Sequence, residues 1–141
     1  MSRKNFYQID DYEGIASHLR LIPSKSITGR DHYEVREAFT IEDKQGNQFS
    51  FNQYFTSNGG DIPLPVRILI PCGGRALPSY LIHDYYCDKA NRSGLYKYRE
   101  IGDNYFYSHL RDCGYAKWRA KPMSAMVKAR GKYLKMRGVL K

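Results

Sequence analysis

Hydrophobic and polar positions alternate along much of the first half of the chain, and this alternation is typical of β-strands. Between residues 32 and 41 it has one interruption and places four apolar side chains on one face: Tyr33, Val35, Phe39 and Ile41. A second alternating stretch covers residues 48–55, and the polar, glycine-containing segment 42–47 between the two suits a hairpin loop. Residues 18–22 and 66–70 add two shorter candidate strands.

The second half of the chain has the periodicity of helices. We predict helices over residues 78–89, 98–113 and 122–137. Pro122 either starts the last helix or kinks a longer one that begins near Tyr115. Strands followed by helices are typical of an α+β fold. We therefore expect a small antiparallel sheet from the N-terminal half, packed on three C-terminal helices.

The chain is long enough for one domain and leaves little room for a second. Its 141 residues are 42% hydrophobic and 26% charged, a composition that excludes disordered, collagen-like and disulfide-scaffold proteins. We therefore treat residues 1–141 as a single domain. It has a strand-rich half at 1–70, a helical half at 78–137 and a basic tail at 138–141.

Targeting signals are not visible in the sequence. No run of 18 apolar residues is present, so we expect no transmembrane segment. The polar N-terminus lacks the apolar region of a secretory signal peptide. The three cysteines, at positions 72, 87 and 113, are too few for a secreted disulfide framework and favour a reducing compartment.

The net charge of +9 is concentrated at the C-terminus. Residues 113–141 hold nine lysines and arginines and no aspartate or glutamate, whereas basic and acidic residues are equal in number over 1–112. Such an asymmetry indicates a polyanion or an acidic protein surface as the partner. A solvated helix face with a basic tail would give the same pattern without any partner.

One histidine and two aspartates stand on helices that should be buried. The helix 78–89 is apolar on nearly every side, which indicates a central helix, and it carries His83 and Asp84. In the helix 98–113, Asp103 lies within the apolar stripe that should face the core. Because a buried carboxylate requires a partner, we expect Asp103 to hydrogen-bond His83 on the adjacent helix.

This arrangement has a catalytic and a structural interpretation. In the first, Asp103 orients the imidazole of His83, which acts as general base on a water, and Asp84 holds a hard cation such as Ca²⁺. In the second, the residues form a buried polar network that fixes the register of the helices. A further alternative is that Asp84 merely points to solvent at a loop. Apart from calcium, we expect no cofactor, since two His-x3-Cys pairs fit a zinc site poorly.

Three segments carry a resemblance to a known family. Residues 54–63 resemble the F-x-T-D-L-A-S-I-P segment of a short phage-encoded family that is catalogued only as a domain of unknown function. Residues 81–86 resemble its second motif, a helix with the pattern H-D-Y-x-Y, and Asp103 matches its later D-x-x-F helix. Asn58 and Asp61 depart from the family pattern, which has Asp and Ser at these positions.

The resemblance covers most of the chain and implies a phage protein without naming a reaction. Members of the family occur mainly in tailed-phage genomes and prophages. A structural component of a tailed-phage particle, in its tail or neck, is therefore the first candidate function. Such a protein would be made in the host cytoplasm, would be located in the virion and would contact other phage structural proteins.

The helix pair also resembles the core of phospholipase A2. In that family the histidine is the base, the adjacent aspartate binds calcium and an aspartate of the next helix supports the histidine. The resemblance assigns these roles to His83, Asp84 and Asp103. Gly73 and Gly74 are similar to its glycine-rich calcium loop, but they lie closer to the histidine than is usual there. A small hydrolase is therefore the alternative function.

The last predicted helix carries two groups of cations. Lys128, Lys132 and Lys135 fall within an arc of about 60°, as expected for a solvated face. Arg130 and Arg137 lie about 20° apart in an arc flanked by apolar side chains, which favours contact with an acidic or carbonyl-rich partner protein. Nucleic-acid binding, the third candidate function, would instead use the lysines.

Overall fold

The structure is a computed structural model that describes residues 4–6, 8–23, 32–57 and 74–141. Its helices are α1 (Tyr12–Ala16), α2 (Leu77–Ser93), α3 (Tyr96–Asp112) and α4 (Lys117–Met136), and a 3-10 turn, Gly74–Ala76, leads into α2. Its strands are β1 (Lys4–Phe6), β2 (Leu19–Ile22), β3 (His32–Val35), β4 (Phe39–Glu42), β5 (Gln48–Phe51) and β6 (Thr56–Ser57). The predicted α+β class is confirmed, with strands in the first half and three helices in the second.

The strands form two small sheets of three strands each. In one sheet β4 lies between β1 and β5, and it pairs parallel with β1 and antiparallel with β5. In the other, β3 pairs antiparallel with both β2 and β6. The stretch 32–41, predicted as one strand, is therefore divided between two sheets. The division falls where the alternation is interrupted, and the backbone N–H of Arg36 there donates to the carbonyl of His18 at 2.8 Å.

Helix α2 lies at the centre of the molecule, as its apolar surface predicts. Every residue from Leu77 to Asp84 is buried. Phe49 of β5 packs edge-on against Tyr85 and Tyr86 of α2, with ring centroids 6.5 and 6.0 Å apart. Phe49 also contacts Tyr105 and His109 of α3, so the sheet that contains β5 packs on both helices and the polar residues of α2 lie in the core.

The helix boundaries differ from the predicted ones by more than two residues at two points. Helix α2 continues to Ser93 because its stop signal is Gly94, which caps the helix in a left-handed conformation (φ 73°). Helix α4 begins at Lys117 and contains Pro122, so the longer of the two predicted helices is the one that forms. Pro122 is the sixth residue of α4 and lies inside the helix, where it removes the backbone hydrogen bond to the carbonyl of Trp118.

Several expectations fall outside the described residues. They concern the candidate strand at 66–70, Gly73 and most of the 54–63 segment, including Asn58 and Asp61. Within the parts of the chain that the structure describes, no helix has the length and apolar character needed to cross a membrane.

Candidate functional site

His83 and Asp103 form the hydrogen bond that the sequence predicts. Nε2 of His83, on α2, lies 2.7 Å from Oδ1 of Asp103 on α3. Both residues are 1% exposed. The bond forms because each residue occupies the side of its helix that faces the other helix. The pair therefore lies in the interior of the protein.

Arg99, which the sequence analysis does not single out, lies beside this pair. Its Nε donates to Oδ1 of Asp103 at 2.8 Å, and its Nη2 donates to the backbone carbonyl of Val127 on α4 at 3.2 Å. Arg99 is 1% exposed, so a buried positive charge compensates the buried carboxylate. The sequence feature that could have indicated this ion pair is the i,i+4 spacing of Arg99 and Asp103 on one helix.

Gly131 of α4 lies directly against the carboxylate. A Cβ atom at this position would overlap Oδ2 of Asp103 and would lie 3.2 Å from Cγ and Nε of Arg99. Glycine therefore allows α4 to approach α3 at this point. We call His83, Arg99, Asp103 and Gly131 the buried centre, and it joins α2, α3 and α4.

The second ring nitrogen of His83 faces a thiol. Nδ1 lies 3.5 Å from Sγ of Cys87, one turn further along α2. The ring of Phe106 packs at 5.3 Å, measured between centroids. A general base must reach the proton of a water or a substrate. Because Asp103 binds one nitrogen and Cys87 lies against the other, proton transfer to an external molecule would require this packing to open.

Asp84, the expected calcium ligand, is 8% exposed and accepts a hydrogen bond from the hydroxyl of Ser57. This bond joins α2 to β6. The expectation that Asp84 points to solvent is therefore wrong, because the short strand β6 packs against this part of α2. Among the described residues, no group of three or more His, Cys, Asp or Glu side chains could hold a metal ion. A calcium-binding role of Asp84 stays a prediction.

A second buried polar contact joins α3 to the loop between β4 and β5, and the sequence analysis does not anticipate it. Nε2 of His109 donates to Oδ2 of Asp43 at 3.0 Å. Asp43 also accepts hydrogen bonds from the backbone of Gln45 and from the backbone and side chain of Asn47. Tyr105 stacks on the imidazole with ring centroids 5.2 Å apart.

These surroundings move the pKa values of both partners. Burial alone would raise the pKa of Asp43, but the hydrogen bonds from His109 and Asn47 hold it below its ordinary value. Burial lowers the pKa of His109, and it outweighs the opposing effect of the Asp43 carboxylate. Nδ1 of His109 has no hydrogen-bond partner among the described residues, which fits a neutral ring with its proton on Nε2.

Three members of the buried centre, His83, Arg99 and Asp103, lie in a segment shared with a known protein family. A family model described as "Protein of unknown function (DUF1353)" matches residues 33–127. The chain belongs to the DUF1353 family. The matched DUF1353 span contains His83, Asp84 and Asp103 and ends before Arg130. No curated protein and no solved structure matches the chain.

Beyond the DUF1353 match, the end of α4 and its C-cap residue Arg137 carry a cluster of exposed side chains. The Cζ atoms of Arg130 and Arg137 lie 5.6 and 6.0 Å from the centre of the Tyr133 ring. Both arginines are exposed, and Tyr133 is 44% exposed. The two guanidinium groups thus flank one phenol ring. We call these three residues the Arg–Tyr–Arg surface.

The sequence places Arg130 and Arg137 in an apolar arc, where a free monomer would have to desolvate them or extend their head groups into water, and their exposure corresponds to the second case. The buried side of α4 includes Met123 and Val127, and the arginines lie at its border, where their head groups reach water. The lysine face agrees better with the expectation of a solvated face: Lys132 and Lys135 are exposed, and Lys128 is partly buried.

Proposed function

We propose that this DUF1353 protein is a non-enzymatic structural component of a tailed-phage particle, in its tail or neck. In this proposal it docks on an acidic partner protein through α4. The observation that carries the proposal is the Arg–Tyr–Arg surface, because two cations and an aromatic ring are held together in solvent. The segment 113–141 around this surface contains no acidic residue.

The chemistry of the Arg–Tyr–Arg surface favours a protein as partner. Arginine and tyrosine are among the residue types that contribute most of the binding energy at protein interfaces. A guanidinium group near a ring face can still use its planar fork to bind a carboxylate through two hydrogen bonds. Because Tyr133 already positions Arg130 and Arg137, less side-chain entropy is lost when they bind.

The buried centre supports a structural role more strongly than a hydrolytic one. His83 is 1% exposed, and its two nitrogens face Asp103 and Cys87. A hydrolase of the phospholipase type needs its histidine open to water and substrate. In contrast, a charge-compensated network that joins three helices gives α4 a fixed position on the domain. That fixed position is what a docking helix requires.

The phage assignment is supported by the resemblance of residues 54–63 and 81–86 to phage-encoded chains. Membership of a family of unknown function agrees with that resemblance. The proposal accordingly includes other phage structural proteins as partners and the virion as location.

A nucleic-acid-binding accessory protein is the second candidate, and one observation favours it. Lys117, Lys121 and Lys128 line a cleft of about 420 Å³ between α3 and α4. Binding of DNA through these three lysines would weaken with salt, by roughly fortyfold between about 50 and 200 mM if each lysine neutralises one phosphate. Tight DNA binding by the free protein at physiological salt would therefore distinguish this candidate from docking on a protein.

The presence of the protein in purified particles tests the proposal. Particles are banded on a density gradient, and the protein is quantified by mass spectrometry against a major structural protein. We expect a constant copy number per particle that survives a wash in high salt. Detection only in the unassembled fraction, or tight DNA binding by the free protein at physiological salt, would contradict the proposal.

A further inference from the structure

Helix α4 has a second apolar face, and it lies in water. Six residues of this face are exposed: Trp118, Pro122, Ala125, Ala129, Tyr133 and Met136. At about 100° per residue they fall within an arc of about 80°. Three of them are large, with Trp118 77%, Tyr133 44% and Met136 78% exposed. We call these six residues the exposed apolar stripe.

The exposed apolar stripe is separate from the face that packs on the domain. The buried face of α4 lies on another side of the helix. It consists of Ala120, Met123, Ser124, Val127, Gly131 and Leu134. A surface helix of a monomer normally has one apolar side. A second apolar side left in water marks an interaction surface.

Cations border the exposed apolar stripe on both sides. The residues on one edge are arginines: Arg119, Arg130 and Arg137. The residues on the other edge are lysines: Lys121, Lys128 and Lys132. A second copy of this chain would bring like charges together at both edges, so a homodimer through this face is disfavoured. The bordering charge requires an acidic partner.

The shape of the stripe fits a helix as partner. Its members are spaced by three or four residues over a length of about 27 Å, as in the seam of a helix pair. Ala125 and Ala129 lie in the middle, where small side chains let two helix backbones approach closely. Large side chains lie towards both ends, where Trp118 and Met136 can cover the partner's apolar residues.

We infer that the exposed apolar stripe binds an amphipathic helix of the partner protein whose apolar seam is bordered by Asp and Glu on both sides. The inference rests on the proposed docking through α4 and specifies the partner's chemistry. The partner's apolar seam would cover the six stripe residues. Its two acidic edges would pair with the arginine edge and the lysine edge of α4.

Trp118 provides the test because it is the single tryptophan of the chain. The probe is a designed 21-residue helical peptide with Leu at its seam positions and Glu on both flanks, and its counterpart carries Lys on the flanks. We expect the acidic peptide to shift Trp118 emission to the blue with saturation, and the basic peptide to leave it unchanged. Ala129→Glu should weaken binding by at least about tenfold. Asn91→Glu, an exposed site on α2 with the same charge change, should not weaken it.

Three results would overturn the inference. They are no shift with the acidic peptide, an equal shift with both peptides, and a shift only with vesicles that contain phosphatidylserine, which would assign the stripe to a lipid surface.

Incorporation of the protein into particles distinguishes a failure of this inference from a failure of the proposed function. If the acidic peptide fails while Ala129→Glu still enters particles, the helix inference falls and the structural function stands. If the peptide binds but the protein is absent from particles, the proposed function falls instead.

Discussion

His109 and Asp43 stand 66 positions apart in the chain, and their side chains meet in the interior at 3.0 Å. The contact fixes the loop between β4 and β5 on the side of α3. Asp43 also organises its own loop through three hydrogen bonds, so one carboxylate holds the hairpin in shape and attaches it to a helix. Protonation of either residue should therefore affect the stability of the whole domain.

Stability should fall with decreasing pH in two steps. The pKa of His109 is lower in the folded protein than its ordinary value of 6.5, so the unfolded chain binds more protons below that pH and stability decreases there. The pKa of Asp43 is also lowered, so its contribution to stability is present above pH 3.8 and is lost as the pH falls through its pKa in the folded protein.

His109→Gln should reduce the dependence of the free energy of unfolding on pH between pH 6.5 and 5. For one proton this slope is at most about 1.4 kcal/mol per pH unit. Urea unfolding at several pH values measures this slope, and an unchanged slope would contradict the assignment.

Two Asp–Arg pairs with i,i+4 spacing should differ strongly in their contribution to stability. Asp103→Asn removes the partner of the buried Arg99 and should cost about 3–5 kcal/mol. Asp88→Asn breaks the matching exposed pair with Arg92, and it should cost less than about 0.5 kcal/mol. Denaturant unfolding of both variants measures the two effects. Equal effects would show that the buried centre does not hold the helices together.

Gly131→Ala should destabilise the protein, although alanine is normally favoured in a helix. The added Cβ would overlap the Asp103 carboxylate, which cannot move away because His83 and Arg99 hold it. We expect a loss of about 1–3 kcal/mol. Ser124→Ala is the control on the same buried face, and it should be neutral or slightly stabilising because the Ser124 hydroxyl has no hydrogen-bond partner in the described structure. A stabilised Gly131→Ala variant would contradict the described packing of α4 on α3.

Much of the fold is visible in the sequence because the longer elements each contain several periods of their pattern. The apolar circumference of the helix at 78–89 correctly predicts a central helix. The division between β3 and β4 shows in the sequence only as an interruption of the alternating pattern. Two strands that belong to different sheets have the same alternation of apolar and polar residues as one continuous strand, so the pattern cannot reveal that the sheets differ. β1 and α1, with three and five residues, are too short to show any periodicity.

The candidate site is only partly predictable. His83 and Asp103 can be paired because both occupy core-facing positions on neighbouring helices. Arg99 is missed because a long charged side chain normally points to water, although its i,i+4 spacing from Asp103 places it on the core-facing side of the helix. The His109–Asp43 contact is non-local, so no sequence spacing indicates it.

Calcium should have little effect on the protein if Asp84 is structural. We expect no binding heat by calorimetry and no change in melting temperature between calcium and EDTA. Asp84→Ala should lower stability by about 1–3 kcal/mol, because it removes the acceptor of the buried Ser57 hydroxyl. Calcium binding that disappears in Asp84→Ala, without loss of the fold, would support the hydrolase interpretation instead.

The most direct test of docking through α4 is the number of copies of this protein in purified particles when its arginines are reversed. Both residues are exposed, so Arg130→Glu together with Arg137→Glu should leave the free protein folded, which circular dichroism can check. We predict that this double variant is absent from particles or reduced at least about tenfold. The comparison variant, Lys128→Gln with Lys132→Gln and Lys135→Gln, removes cations without reversing their charge, and it should reduce incorporation clearly less than the arginine variant. Normal incorporation of the arginine variant, or loss of incorporation in the lysine variant alone, would contradict the account.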